Sequence, residues 1–180
     1  MLSRIFFACI FLCLFCACSP LSCRWMEHKF RQYSTNSLTL LDMMAYHYLN
    51  QDPEVNIAPF PYPLYHQASG ASAEGKLAFT VQVLKEVSAL FEEDDGSSPW
   101  QEVTMEHFLN VVNKQADELQ LCVSTIHLPN RRLHVYFKRL SNSVFGQMGH
   151  SAEAWELIRR EIKLHLIRAD HLVSSLFVSN

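Results

Sequence analysis

The sequence predicts an all-α protein, an up-up-down-down four-helix bundle with a fifth helix and a long first crossover loop. Five separate stretches carry apolar residues at three- and four-residue steps, the period of a helix with one buried face. No stretch reads convincingly as a β-strand. A proline-rich segment of about 20 residues separates the first two helical stretches. A connection of that length can run along a helix and return, which is what this topology needs.

The first helix is predicted over residues 25–49, and the crossover loop over residues 50–70. The helix has an apolar face made by Phe30, Leu38, Leu41, Met44, Ala45 and Tyr48. The loop is assigned because prolines are excluded from helix interiors, and this segment contains Pro53, Pro59, Pro61 and Pro63.

Two further helices follow the crossover. The second is predicted over residues 73–93, with Ser72 as its N-cap and the polar run 94–97 as its end. The third has the clearest start signal in the chain and extends to Cys122. Ser98 can cap it, Pro99 suits the first helical position, and Gln101 would complete a capping box.

The fourth helix is predicted over residues 131–148 and ends at Gly149. The fifth begins after a Ser151 cap, with Glu153 in its first turn, where a negative charge is favourable. It has the longest apolar stripe in the chain: Trp155, Ile158, Ile162, Leu166, Ala169, Val173 and Leu176. Because Trp155 lies on that stripe, we expect it in the core rather than on a binding surface.

The N-terminus indicates secretion. Arg4 precedes an apolar run over residues 5–17, and Ser19, Pro20 and Ser22 follow, which is the pattern of a signal peptide. The run is shorter than the roughly 20 apolar residues that span a bilayer, although a signal anchor is the alternative. We therefore expect residues 1–22 to be removed and residues 23–180 to form one secreted domain.

Charge and cysteine content describe the mature chain. Loss of Arg4 leaves 14 of the 15 Lys and Arg against 18 Asp and Glu, so no nucleic acid or anionic membrane is expected as a partner. No second apolar stretch is long enough to cross a membrane. Only Cys23 and Cys122 remain, and in an oxidising compartment they most simply form one disulfide, with two free thiols as the alternative. Closing that loop is worth roughly 4–5 kcal/mol.

A search for catalytic chemistry finds no assembled set. Residues 149–153, GHSAE, lack the final glycine of a nucleophile elbow and follow no strand. Glu161 and His165 lie one helical turn apart and could touch one metal, but no second ligand pair accompanies them, so we expect both on the surface. Neither an enzyme, nor a metal site, nor a cofactor is expected.

Two basic clusters favour a binding protein over a catalyst. One lies on the fifth helix and the other on the fourth, and either could steer an acidic protein partner or be a solvated helix face. The clusters are Arg159, Arg160, Lys163 and Arg168, and Arg131, Arg132, Lys138 and Arg139.

Several motifs, in order, resemble those of type I interferons, most closely the two-cysteine interferons of fish. Residues 136–140, YFKRL, are similar to the Tyr-Phe-x-Arg-Ile motif of that family's fourth helix. Residues 154–162, AWELIRREI, are similar to its Ala-Trp-Glu-Val-Val-Arg-Ala-Glu-Ile signature. The second and third helices share with mammalian interferon alpha the ungapped series Leu90, Phe91, Trp100, Phe108, Gln115, Leu119 and Cys122.

The resemblance covers the whole mature chain, with departures. The family pairs its N-terminal cysteine with one on the third helix, the places held by Cys23 and Cys122. The second mammalian disulfide is missing, because Glu153 and Gln51 stand at or near its cysteine positions. The crossover loop is therefore expected to be looser.

The resemblance implies a function. Such interferons act as extracellular ligands that join two receptor chains of the class II cytokine group. The joined receptors induce antiviral genes through kinases and transcription factors. This chain is expected to act as a monomer. One chain docks on the last helix and crossover loop, at positions matching Arg159, Arg160, Lys163, Ile167 and Val55. The other docks on the second and third helices, at positions matching Ser88, Ala89, Thr104, Leu109 and Asn113.

Two alternatives stay open. Another secreted helical cytokine or hormone would use a different receptor, and the Ala-Trp-Glu signature argues against it. A membrane-active host-defence protein would need a basic amphipathic helix and a net positive charge, whereas the mature chain is acidic.

Overall fold

The computed structural model describes residues 23, 26–45, 58–92, 98–123 and 127–177. Those ranges contain helices and no strand, which confirms the predicted all-α class. The predicted signal peptide lies outside the described residues. The helices are α1 (Met26–Met43), α2 (Tyr62–Ser69), α3 (Ala73–Glu92), α4 (Glu102–Gln120), α5 (Arg131–Met148) and α6 (Ala152–Ser174).

Four long helices form a ring in which neighbours run antiparallel. Helix α1 packs mainly on α4 and α6, and α3 packs on the same two helices from the opposite side. Near the start of α3, Lys76 Nζ donates to Ser175 Oγ, at the end of α6, at 3.1 Å. Near the end of α3, Phe91 packs close to Trp155, which lies near the start of α6. Contacts between Tyr33 and Glu118 likewise place the start of α1 beside the end of α4. Helices α1 and α3 therefore run one way and α4 and α6 the other, the predicted up-up-down-down order.

Helix α5 is the fifth element and packs outside the ring, against α3 and α6. Its bounds are those predicted. Asn130 caps it by accepting hydrogen bonds from the backbone nitrogens of Arg132 and Leu133, and Gly149 ends it with a φ of 60°, where a side chain would be strained. Two hydrogen bonds between Asn130 and Gln82 fix its start against α3.

The core is centred on the N-terminal half of α6. Trp155 is fully buried and its ring lies 4.8–6.1 Å from those of Phe91, Trp100 and Phe145, so it packs in the core as predicted. Ser151 caps α6 through a hydrogen bond from Ala154, which confirms the predicted start.

A disulfide joins the N-terminus of the described chain to the end of α4. The Cys23 and Cys122 sulfurs lie 2.07 Å apart, with their Cα atoms 6.0 Å apart. The bridge crosses 99 residues of sequence, so it ties the start of α1 to the antiparallel α4.

The predicted crossover loop of residues 50–70 was wrong at its C-terminal end, where α2 forms. Prolines are excluded from helix interiors but not from the first turn, and Pro63 occupies the first turn of α2. Helix α1 is also shorter than predicted, because it ends at Met43 rather than near residue 49.

The capping box predicted for the third helix does not form. Helix α4 begins at Glu102, and its N-cap residue, Gln101, makes no side-chain capping bond. Trp100 packs 5.6 Å from Phe91 and 5.4 Å from Trp155, and this burial holds the preceding segment out of the helix. The aromatic contact outweighs a local capping signal worth about 1 kcal/mol.

A buried ion pair within α6 also contacts the end of α1. Arg159 donates from Nε and Nη2 to the two carboxylate oxygens of Glu156, both at 2.7 Å, and both side chains are buried. The remaining Nη1 of Arg159 donates to the backbone carbonyl of Leu41 at 3.1 Å, one of the last carbonyls of α1. The backbone nitrogens of Met44 and Ala45 donate to the carbonyls of Leu40 and Asp42, and α6 supplies the donor for the carbonyl of Leu41.

We expect Arg159→Leu to lower the free energy of unfolding by about 3 kcal/mol, because it leaves the Glu156 charge and the Leu41 carbonyl poorly compensated in the core. Arg160 still contacts Glu156, which places the loss at the low end for a broken buried pair. The double variant Glu156→Leu/Arg159→Leu should be more stable than the single one, since no buried charge is left. Urea unfolding measures both, and a double variant less stable than Arg159→Leu would contradict the account.

Candidate receptor-contact surfaces

One face of α6 stays outside the bundle and forms a continuous stripe. We call it the α6 stripe. Its members recur at three- and four-residue steps, so they share one side of the helix, opposite the buried one. They are exposed or half-buried: Arg160, Lys163, Leu164, Ile167 and Arg168. Leu164, an apolar side chain, is 44% exposed and shares the stripe with three cations.

The end of α1 adjoins this stripe. Lys163 Nζ donates to the carboxylate of Asp42, and Arg159 Nη1 lies 3.9 Å from the same carboxylate. The next residue, Met43, is 69% exposed. The pairing therefore brings the last turn of α1, which carries this exposed apolar side chain, beside α6.

Helix α2 adds an aromatic side chain. The Arg168 guanidinium lies 5.5 Å from the centre of the Tyr62 ring, within the range of a cation–π contact, and Tyr62 is 56% exposed. Sequence reasoning missed Tyr62, Leu164 and Met43 as surface residues. Tyr62 was missed because α2 was predicted as loop, and Met43 because the first helix was predicted to continue beyond it.

A buried polar cluster lies beneath the stripe and holds α2 on α6. The Tyr65 hydroxyl and His165 Nδ1 share a hydrogen bond of 2.7 Å, and the Tyr136 hydroxyl of α5 donates to Glu161 at 2.6 Å. His165 is fully buried and Glu161 is half-buried, so the surface placement expected for His165 was wrong. The sequence signal that could have found it is its spacing, three residues after Ile162 and four before Ala169 of the apolar stripe.

Aromatic rings enclose His165. The rings of Phe60, Tyr65, Tyr136 and Phe137 have centres 4.6–5.7 Å from the imidazole centre. Burial lowers the pKa of His165 to about 3, so the ring is neutral at physiological pH. Burial also raises the pKa of Glu161, against the opposing effect of the Tyr136 hydrogen bond.

Of the five receptor-contact positions predicted on the last helix and crossover loop, three lie on the same surface. Arg160, Lys163 and Ile167 lie on the α6 stripe. The Arg159 side chain points into the protein, and the residue is 6% exposed. Its guanidinium donates hydrogen bonds to the Glu156 carboxylate and the Leu41 carbonyl. Val55 lies outside the described residues. Arg159 therefore supports the surface from within rather than presenting a side chain on it.

The five positions assigned to the other surface are also divided. Ala89 of α3 and Asn113 of α4 are exposed, while Thr104 and Leu109 are half-buried. Ser88 is buried, 3% exposed, and its hydroxyl donates to Glu92 at 3.4 Å. Ala89 and Asn113 are thus the accessible members of this set.

An open groove of about 530 Å³ lies between α2, α3 and the segment before α5. Its lining is apolar and amide-rich and holds none of the predicted contact residues; it includes Leu64, Ala68, Phe79, Val81, Gln82, Gln120 and Leu128. Within the described ranges, no three His, Cys, Asp or Glu side chains stand close enough to bind one metal ion. None of the helices described combines the length and hydropathy of a membrane span.

Comparison with known proteins gives consistent matches. The interferon alpha/beta domain family matches residues 26–176. Interferon a3 of Oncorhynchus mykiss is 37% identical over 174 residues, which cover 94% of this chain and 96% of that protein. The solved structure of zebrafish interferon 1 superposes with a TM-score of 0.67 at 29% identity, covering 83% of this chain and 96% of the other.

The buried histidine predicts a stability that falls as pH drops below about 6.5. In the folded protein His165 remains neutral to about pH 3, while in the unfolded chain it takes up a proton near its ordinary pKa of 6.5. Between these values the unfolded state binds more protons, so this group lowers the free energy of unfolding by up to about 1.4 kcal/mol per pH unit.

Replacing the histidine should reduce that dependence. His165→Gln is expected to flatten the plot of unfolding free energy against pH between about pH 6 and pH 4. His171→Gln, at an exposed position of the same helix, is measured as the control for replacing a histidine that is not buried. The raised pKa of Glu161 acts in the opposite direction in every variant, so the slopes are compared with one another. Equal slopes for wild type and His165→Gln would contradict the prediction.

Proposed function

The chain belongs to the interferon alpha/beta family and is a type I interferon cytokine, not an enzyme, and on this premise we propose that it is secreted and brings two class II cytokine receptor chains together. Receptor-bound kinases and transcription factors then induce antiviral genes. The single observation that carries the proposal is the α6 stripe, which continues onto α2 and α1 as one accessible surface.

The composition of this surface supports a protein contact. Tyr62, Leu164 and Met43 supply exposed apolar area, while Arg160, Lys163 and Arg168 surround it with positive charge. Protein interfaces commonly combine an aromatic or aliphatic centre with a polar rim, and tyrosine and arginine are frequent among the residues that dominate affinity. The cationic rim favours an acidic receptor surface, which would speed association.

Preorganisation supports the same assignment. Helix α2 is held on α6 by the Tyr65–His165 hydrogen bond and the surrounding rings, and α1 is held by Arg159. A surface that is already ordered loses less conformational entropy on binding. The second receptor chain is assigned to α3 and α4, where Ala89 and Asn113 are exposed. Two separate surfaces are what a ligand needs to join two chains.

We expect Arg160→Glu to abolish detectable binding to the receptor chain that docks on the α6 stripe. The side chain is 44% exposed, and the change replaces a cation that faces the partner with an anion. Binding is measured by surface plasmon resonance on receptor ectodomains, with circular dichroism as a check of helix content. Because the new carboxylate also faces Glu156, the milder Arg160→Ala is measured in parallel and should weaken binding while helix content stays that of the wild type.

The matched control is Arg31→Glu, which makes the same charge change at an exposed position of α1. It should bind as the wild type does. Wild-type affinity in both Arg160 variants would remove the α6 stripe from the receptor contact.

The two-chain arrangement predicts an antagonist. Ala89→Arg/Asn113→Arg places bulky charge on exposed positions of α3 and α4, so it should block the second receptor chain and leave the first contact intact. The variant should induce little antiviral reporter activity in responsive cells and should compete with the wild type when both are added. Gln32→Arg/Asn36→Arg, on exposed positions of α1, is the control and should signal normally. A double variant with full activity would overturn the assignment of the second surface.

A further inference from the structure

Helix α5 has a basic face that contains none of the residues assigned to the two receptor contacts. We call it the α5 basic face. All four of its cations are exposed, and none forms an ion pair or side-chain hydrogen bond with a described residue: Arg131, Arg132, Lys138 and Arg139. By contrast, Arg159 and Lys163 of α6 both contact carboxylates.

Carboxylates do reach α5 from neighbouring helices, but they bind other side chains. Glu86 of α3 lies 3.1 Å from His134, and Glu161 of α6 accepts from Tyr136. Helix α5 itself contains no acidic residue. The positive charge of this face is therefore not neutralised by the described part of the fold, although the mature chain as a whole is acidic.

Two of the cations stand where a helix disfavours them. Arg131 and Arg132 open α5, at the positive end of its dipole, where negative side chains are favourable and positive ones are not. Helices α3, α4 and α6 each have an acidic residue in the first turn: Glu74, Glu102 and Glu153. The placement in α5 does not serve helix stability, but it concentrates the helix dipole and two guanidinium groups at one end of the face, which attracts anions.

The spacing forms two parallel rows. Arg131 and Lys138 are seven residues apart, as are Arg132 and Arg139, so each row spans about 10 Å along the helix. Half-buried Val135 and exposed Asn142 also lie on this helix, which has no large exposed apolar side chain. The result is a polar surface with charge repeated along one axis.

We propose that the α5 basic face binds a linear sulfated polysaccharide of the glycosaminoglycan class. The proposal rests on the proposed function only for its extracellular setting, where such chains are found. Arginine guanidinium groups match sulfate as they match phosphate and carboxylate, through paired N–H donors. A linear polyanion that lies along the helix can contact both rows at once.

The chemistry of the face favours a polysaccharide over other polyanionic surfaces. A membrane-binding helix needs large apolar side chains to enter the lipid boundary, and this face has none exposed. A protein interface needs a buried aromatic or aliphatic centre, which is also missing from this face. A polysaccharide of alternating sulfate and carboxylate needs neither, because its binding depends mainly on charge.

The test measures binding of the refolded mature chain to immobilised heparin as a function of salt, without any receptor present. In one variant the four cations of the α5 basic face become glutamine. The matched control changes four exposed cations elsewhere, with the same change in net charge: Lys29→Gln, Arg31→Gln, Lys85→Gln and Lys114→Gln. We expect the wild type and the control to be retained to similar salt concentrations and the α5 variant to elute earlier.

The salt dependence gives the expected size of the effect. Loss of four ionic contacts should reduce the slope of log Kd against log salt by about 3, by analogy with counterion release from other polyanions. The α5 variant should remain folded and be no less heat-stable than the wild type, because glutamine at positions 131 and 132 removes unfavourable charge from the start of the helix. Equal elution of the α5 variant and the control would overturn the proposal.

Two further arms separate the alternatives. Fully desulfated heparin should bind more weakly than heparin, and equal binding to both would overturn the sulfate assignment. Vesicles with 30% phosphatidylserine should bind at most weakly, and retention as strong as on heparin would overturn the choice of a polysaccharide. Binding of the receptor chain that docks on the α6 stripe is measured separately for the α5 variant and should be unchanged. Failure here therefore leaves the proposed receptor function standing, and the Arg160 variants test that function independently.

Discussion

The last helix has to be buried on one side and available on the other, and this constraint organises the molecule. Its inner side, around Trp155 and His165, packs against α1, α2, α3 and α5. Because a helix repeats every 3.6 residues, burial of that side determines which residues point outward. The same packing that forms the core therefore selects the members of the α6 stripe.

Polar contacts then hold the neighbouring elements in register with that stripe. Arg159 reaches the carbonyl of Leu41 on α1, and His165 reaches Tyr65 on α2, over sequence separations of 118 and 100 residues. Each contact is buried, so breaking it would leave a polar or charged group without water. A short helix with proline in its first turn would be marginal alone, and it gains stability from this packing. Surface residues of α1, α2 and α6 that are distant in sequence are thus brought close together.

The two basic clusters show how the same sequence feature can have different structural roles. On α6 the arginines and lysine are drawn partly into ion pairs, with Glu156 and Asp42 as partners. On α5 the cations are left without partners among the described residues. Charge counting treats the clusters alike, because it does not include the neighbours that packing brings beside each one. That difference separates cations that contribute to the packing of α6 from cations that remain unneutralised on the surface of α5.

The amphipathic period by itself determined the all-α class, the bounds of α5 and the buried position of Trp155, because each depends on residues within one helix. The two cysteines of the mature chain likewise left one simple pairing. The start of α4, the existence of α2 and the burial of Arg159 and His165 were decided only by tertiary structure. In each of these cases a partner far away in the chain outweighs the local preference: Trp155 for the segment before α4, His165 for α2, and Leu41 for Arg159.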